Sequence, residues 1–170
     1  MAASFNARYG DVFRRPEALL STNVAMQKVP GLDGQKMSKS YGNDIWMFLS
    51  GKPLKKAVGK ILTDSRPPEE PKDPAGMVLF EFLELFLDET ELADWKTRVS
   101  TGGEGAPGYG HLKQRLIEGI EEHFRGARER REALLGDLGE VERTLSAGAE
   151  RARERATAVR DRAIAACGLR

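Results

Sequence analysis

Cysteine and histidine are nearly absent from this 170-residue chain, which holds one of the first, Cys167, and two of the second, His111 and His123. A single thiol forms no internal disulfide, and so few soft ligands argue against a zinc site built by the chain. No apolar run approaches the ~20 residues of a membrane span. The start, Met1-Ala2-Ala3-Ser4-Phe5-Asn6, lacks both the basic and the apolar region of a secretory signal. These absences lead us to expect a reducing, cytoplasmic setting and no membrane partner. A charge excess is missing too: 27 basic against 26 acidic residues leave +1, so no bulk drive toward nucleic acid exists. What remains, 40% hydrophobic and 31% charged residues, describes a globular chain rather than a disordered one.

The most informative stretch is Gly31-Leu32-Asp33-Gly34-Gln35-Lys36-Met37-Ser38-Lys39-Ser40-Tyr41-Gly42-Asn43-Asp44. Lys36 and Lys39 stand among small hydroxyl residues, between Gly34 and Gly42. Glycine tolerates large dihedral changes, so a segment hinged in this way can swing onto a ligand. Lysine binds phosphate as a point charge, and turn N–H groups with the Ser38 and Ser40 hydroxyls add neutral donors. The pattern reads as a mobile polyphosphate clamp with two cations near a leaving group. A solvated basic loop is the plainer reading of the same residues. A P-loop is excluded, because Gln35 separates Gly34 from Lys36 where that motif needs Gly-Lys-Ser/Thr.

Along the chain, Phe5 and Tyr9 are four apart and Gly10 stops the pattern, which predicts a short helix followed by a loop. Val24 to Val29 alternates apolar and polar residues and predicts one strand, ended by Pro30-Gly31. A ligand loop at the carboxyl end of a strand is the usual layout of an open α/β sheet, yet the partner strands are missing. Ser50 and Pro53 mark the start of a helix over about 52–62. The stretch 63–76 is proline-rich and predicts an extended linker at a domain boundary. Met77 to Leu87 predicts a central buried helix, and Glu91 to Val99 another. The spacing of Leu112, Leu116, Ile120, Phe124, Ala127 and Leu134 predicts one long helix from His111 to Leu135. Asp137 with Glu140 forms a capping-box-like start for a last helix. Its stripe is Val141, Leu145, Ala149, Ala152, Ala156, Val159, Ala163 and Ala166, which predicts close helix–helix approach. The C-terminal part thus reads as a bundle of about four helices. Arginines cluster at 125–131 and 151–162 as either solvated faces or phosphate contacts.

Lys36 to Ser40 spells KMSKS, the second signature loop of class I aminoacyl-tRNA synthetases. The flanks Val29-Pro30-Gly31-Leu32-Asp33-Gly34 and Tyr41-Gly42-Asn43-Asp44-Ile45 resemble those of the bacterial tryptophanyl-tRNA synthetases. So do Thr63-Asp64-Ser65, Glu70-Pro71-Lys72-Asp73-Pro74, Tyr109-Gly110-His111-Leu112-Lys113, Arg128-Glu129-Arg130-Arg131 and Gly148-Ala149-Glu150-Arg151-Ala152. The resemblance is to the C-terminal half of that family and covers nearly the whole chain. It implies a mainly α fold: residues 1–62 as the C-terminal remnant of a class I Rossmann-like (α/β) catalytic domain, 63–76 as linker, 77–170 as a helical tRNA anticodon-binding domain.

The resemblance also implies ATP-dependent activation of tryptophan and its transfer to tRNA-Trp. Lys36 and Lys39 would neutralise the leaving pyrophosphate, and Val29, Met37, Ser38 and Ser40 would meet the nucleotide. Mg²⁺ would come with ATP, and the family acts as a homodimer. The first signature motif and the tryptophan-selecting residues of the family lie upstream and are not in this sequence. We therefore expect the chain alone to be inactive, with residues before about 63 poorly ordered without their sheet. The alternative is a catalytically inactive tRNA-binding module derived from the synthetase.

Overall fold

Apolar residues three and four apart generate most of the structure. The computed structural model describes residues 1–22 and 27–169. Among them it forms α1 (Ala2–Tyr9), α2 (Gly51–Gly59), α3 (Val78–Leu83), α4 (Glu89–Thr101), α5 (Tyr109–His123), α6 (Arg125–Gly136) and α7 (Leu138–Ala166). A single 3-10 turn, Lys39–Tyr41, lies in the lysine loop. The fold is mainly α, as expected. Of the expected strand, Val24, Ala25 and Met26 lie outside the described residues. No strand occurs among the described ones, and Pro30 and Lys36 form only an isolated antiparallel bridge.

The protein divides into two compact units, residues 20–129 and residues 1–19 with 130–170. The core of the first unit is contributed by α2 (Leu54, Val58), α3 (Leu79, Phe80, Phe82, Leu83), α4 (Leu92, Val99) and α5 (Leu112, Leu116, Ile117, Ile120), with Leu32 and Ile61. Helix α5 is its axis, touching both α2 and α3. Leu54, Val58 and Ile61 precede residue 63, yet they are fully or almost fully buried. Helix α2 thus brings its own apolar face to this core. Helix α2 also differs at its start. Ser50 occupies the N-cap position without a side-chain capping bond, and Gly51 N–H donates instead to Glu121 Oε1 of α5 at 3.0 Å.

The stretch 63–76 contains no helix, as its prolines require. It is nevertheless packed down within this unit. Lys72 is only 3% exposed, and its ammonium donates to the carbonyls of Pro67 at 2.5 Å, Glu70 at 2.8 Å and Pro68 at 3.3 Å. A lysine enclosed in this way replaces its water shell with peptide oxygens. Gly102 is needed beside it: with φ 63° it approaches so closely that a Cβ would stand 2.6 Å from the Glu69 carbonyl.

The single helix expected over 111–135 is two helices. Phe124 leaves helical geometry at φ −95°, ψ 7°, and Gly126, a weak helix former, follows. The break lets Arg128 turn back to donate to the Leu49 carbonyl at 2.6 Å and to the Glu121 carbonyl at 3.2 Å. Across the break the stripe changes character: Leu112, Leu116 and Ile120 are buried, whereas Ala127 is exposed.

In the second unit, Asn6 and Phe13 exchange hydrogen bonds of 2.7 Å and 3.0 Å, and Phe5 lies 4.8 Å from both the Tyr9 and Phe13 rings. Gly10 ends α1 at φ 88°. Half of the expected capping box on α7 is made: Asp137 Oδ1 accepts from Glu140 N–H at 3.1 Å, while Asp137 N–H donates to the Leu134 carbonyl. The close helix–helix packing expected for α7 is corrected. None of its residues is buried, and Leu145 is 67% exposed. A stripe dominated by alanine offers too little apolar area to hold a neighbouring helix on its own.

Candidate functional site

The lysine loop is a closed shape built from inside. Gly31 N–H donates to the Gln35 carbonyl at 2.6 Å, Gly34 N–H to Gly31 at 2.9 Å, and Leu32 N–H to the Asn43 carbonyl at 2.8 Å. Leu32 anchors this frame in the core, and its own carbonyl accepts from Leu62 N–H at 3.1 Å. Gly34 and Gly42 both take left-handed φ, 77° and 64°, a conformation that favours glycine. They bound the loop at the places where the sequence suggested hinges.

Asn43, 4% exposed, fills the centre. Its Nδ2 donates to Asp33 Oδ1 at 2.8 Å and to the Lys36 carbonyl at 3.3 Å, and its Oδ1 accepts from Ser38 N–H at 2.8 Å. Asp33 Oδ1 also accepts from Gln35 N–H at 3.0 Å. The hydrogen bond from Asn43 holds the Asp33 carboxyl below its ordinary range. Sequence reading passed over Asn43 and Asp33, because neither is a phosphate ligand by type. Nothing in the sequence marked the close approach at Gly31, where a Cβ would stand 2.2 Å from Asn43 Nδ2.

The expected site residues are all on this frame, in unequal roles. Lys36 and Lys39 are exposed, and Lys39 Nζ lies over the Trp46 ring, 5.6 Å from its centroid, within reach of a cation–π contact. Met37 N–H and the Val29 carbonyl bond to each other at 3.0 Å. Ser38 and Ser40 share a hydroxyl hydrogen bond of 2.8 Å. The outward chemistry of the loop is thus two ammonium groups on a frame whose nearest backbone groups are paired internally. Ammonium groups of this kind can donate to phosphate oxygens. Among the described residues, no group of three or more His, Cys, Asp or Glu stands close enough to hold a metal.

Gly34 faces α3, where a Cβ would come 2.9 Å from Val78 Cγ2. Val78 also lines a cleft with Leu62, Asp64, Arg66, Met77 and Tyr109. There Asp64 Oδ2 accepts from Arg66 at 2.6–2.7 Å, and Tyr109 O–H donates to Asp64 Oδ1. Arg66 first, and Tyr109 second, hold the Asp64 carboxyl down at about 2. Burial, followed by the bond to Asp64, pushes the Tyr109 phenol up to about 12.

Within the first arginine cluster Arg128 differs from Arg125, Arg130 and Arg131, which are exposed. Arg128 is half-buried and donates to the backbone carbonyls of Leu49 and Glu121, so it does not lie on a fully solvated face. Arg151, Arg155 and Arg162 on α7 are exposed.

Residues 1–125 match the family described as tRNA synthetases class I (W and Y). The chain is 44% identical to the tryptophan–tRNA ligase of Rhodopirellula baltica over all of its own length and 52% of the relative's. It is 41% identical to that of Campylobacter jejuni (strain RM1221) over 91% of its length and 47% of the relative's. The crystal structure of tryptophanyl-tRNA synthetase from Campylobacter jejuni, complexed with ADP and tryptophan, superposes with a TM-score of 0.79 and 39% identity. That match covers 99% of this chain and 51% of the other. The chain thus spans about half the length of the relatives it matches, with its helical core and its lysine loop both inside the match, and it belongs to the class I tRNA synthetases of the tryptophan and tyrosine family.

Proposed function

We propose that this chain is the C-terminal part of a tryptophan–tRNA ligase, and that its lysine loop stabilises the leaving pyrophosphate during tryptophan activation. In that step a carboxylate oxygen of tryptophan attacks the α-phosphorus of ATP. The bond from the α-phosphorus to the bridging oxygen breaks, and pyrophosphate departs with the charge that develops on it. Lys36 and Lys39 would meet that charge, and charged donors close to a developing negative charge lower the barrier. The observation that carries the proposal is the loop itself: two exposed ammonium groups on a frame tied internally by Asn43. Mg²⁺ would accompany ATP and spread charge over the phosphates, with no carboxylate cage required from this chain. The Ser38 and Ser40 hydroxyls, and the backbone at Met37 and Val29, would meet the nucleotide once the loop moves onto it.

In the same proposal tRNA-Trp receives the tryptophanyl group, and the enzyme works in the cytoplasm as a homodimer. Residues 1–62 descend from the catalytic domain, 63–76 connect, and 77–170 serve the tRNA anticodon region. The first half of the enzyme supplies the remaining phosphate grip and the indole pocket, so the chain alone is inactive. The test is tryptophan-dependent ATP–pyrophosphate exchange by the 170-residue chain, alone and fused behind the first half of the Rhodopirellula baltica relative. Exchange is expected only from the fusion. Exchange by the chain alone would overturn the partial-enzyme reading. A folded, inactive fusion that still binds tRNA would favour a tRNA-binding module.

A further inference from the structure

We propose that Asn43 is the positioning residue of the lysine loop: its carboxamide stands in for a neighbouring strand and holds Lys36 and Lys39 in their relative places. The inference rests on the function proposed above, and it starts from backbone geometry. In an extended segment the carbonyl of one residue and the N–H two residues later point to the same side. For Lys36 and Ser38 that side faces Asn43, which receives the Ser38 N–H at 2.8 Å and donates to the Lys36 carbonyl at 3.3 Å. The opposite side is occupied by the Val29 carbonyl, which accepts from Met37 N–H at 3.0 Å. The segment 36–38 is therefore held on both edges, as a central strand is, with one edge supplied by a side chain.

A carboxamide suits this task because it carries the same donor and acceptor as a peptide group. Its orientation is dictated from two sides. Asp33 Oδ1, an acceptor only, requires Nδ2, and Ser38 N–H requires Oδ1. Space selects asparagine further. Gly31 lies against the carboxamide so closely that a Cβ would stand 2.5 Å from Asn43 Cγ. Gly42, at φ 64°, turns the chain so that Asn43 points back under the loop. Asp33 accepts from both Asn43 and Gln35, which makes it the residue that orients Asn43.

The chemistry of the substitutions follows. Asn43→Asp keeps the shape and the acceptor for Ser38, but it turns a carboxylate toward Asp33 and toward the Lys36 carbonyl. Like charges and facing acceptors repel, so the 36–38 segment is pushed out of register. Adding Asp33→Asn removes the repulsion between the two carboxylates, because the new amide can donate to the new carboxylate, but it does not return a donor to the Lys36 carbonyl or keep the acceptor for Gln35 N–H. Displacing catalytic groups by about an ångström costs on the order of 10- to 100-fold in rate.

The experiment uses the fused full-length enzyme, with kcat and KM measured in tryptophan-dependent pyrophosphate exchange and the thermal midpoint of each variant. Asn43→Asp is expected to lower kcat by on the order of 10- to 100-fold with the KM for tryptophan changed by less than about twofold. The Asp33→Asn/Asn43→Asp pair, which removes the charge repulsion but not the loss of the donor to Lys36, is expected to regain part of the activity. Asn43→Ser, which keeps an acceptor but not the donor to Lys36, is expected to fall between, and it reports if Asn43→Asp does not fold. Proportional losses of kcat, tryptophan affinity and thermal midpoint, without rescue by the pair, would reduce Asn43 to scaffold and overturn the inference. Full activity of the Asn43 variants beside an impaired Lys39→Ala would also overturn it and leave the proposed function standing. Full activity in both would remove the two together.

Discussion

The guanidinium of Arg128 donates to the carbonyl of Leu49, 79 residues earlier in the chain, at 2.6 Å. Leu49 follows the lysine loop and packs against the core, so this one bond ties the first turn of α6 to the segment leaving the loop. The bond has a cost, because Arg128 Nε is buried with no hydrogen-bond partner among the described residues.

Arg128→Ala is expected to lower the stability of the residue 20–129 unit by about 1–3 kcal/mol, the scale of a hydrogen bond with a charged partner. The salt dependence of tRNA affinity should stay as it is. Urea unfolding and a salt titration of tRNA binding check the two halves separately. A flattened salt slope with unchanged stability would make Arg128 a phosphate ligand after all.

The opposite outcome is expected on α7. Arg151, Arg155 and Arg162 are exposed there and share one face. Replacing all three with Gln should flatten the slope of log affinity against log salt by about 0.7–0.9 for each phosphate that is no longer neutralised. Circular dichroism should show the helix intact. An unchanged slope would leave the three as surface charge.

The Asp64–Tyr109 pair sets a pH signature at both ends. The folded Asp64 carboxyl, at about 2, lies below its ordinary 3.8. Its contribution to stability is therefore present above about 3.8 and lost as pH falls through about 2. The folded Tyr109 phenol, at about 12, lies above its ordinary 10.0. That contribution is complete below about 10 and lost as pH rises through about 12. Tyr109→Phe should make the acid-induced loss of stability smaller and complete it at a higher pH, because Asp64 then keeps only Arg66 and its folded carboxyl moves back toward 3.8. Denaturant midpoints across the acid range decide it. Superimposable acid limbs would show that the phenol does not act on Asp64.

Much of this structure was legible because its signals are local. Phe5, Tyr9 and Gly10 specified α1, Asp137 and Glu140 began α7, and the prolines of 63–76 kept that stretch free of helix. The lysine loop stood out by residue type. What escaped reading depends on partners that only the folded backbone brings together. The N–H of Gly51 is capped by Glu121, Lys72 is enclosed by carbonyls of its own strap and the Tyr109 ring, and Arg128 reaches Leu49. Periodicity alone carried the stripe through Phe124 and gave α7 a buried face, because spacing shows which residues share a side but not whether anything covers it. Asn43 was hidden for a different reason: its work is to hold other residues.

The central claim is that the lysine loop acts on the departing pyrophosphate, and Lys39→Ala in the fused full-length enzyme tests it most directly. The account predicts a fall in tryptophan-dependent ATP–pyrophosphate exchange of on the order of 10²–10³, the scale of removing one charged donor from the transition state, with tryptophan affinity nearly unchanged. Equal losses in tryptophan binding and in rate, or no loss at all, would contradict it.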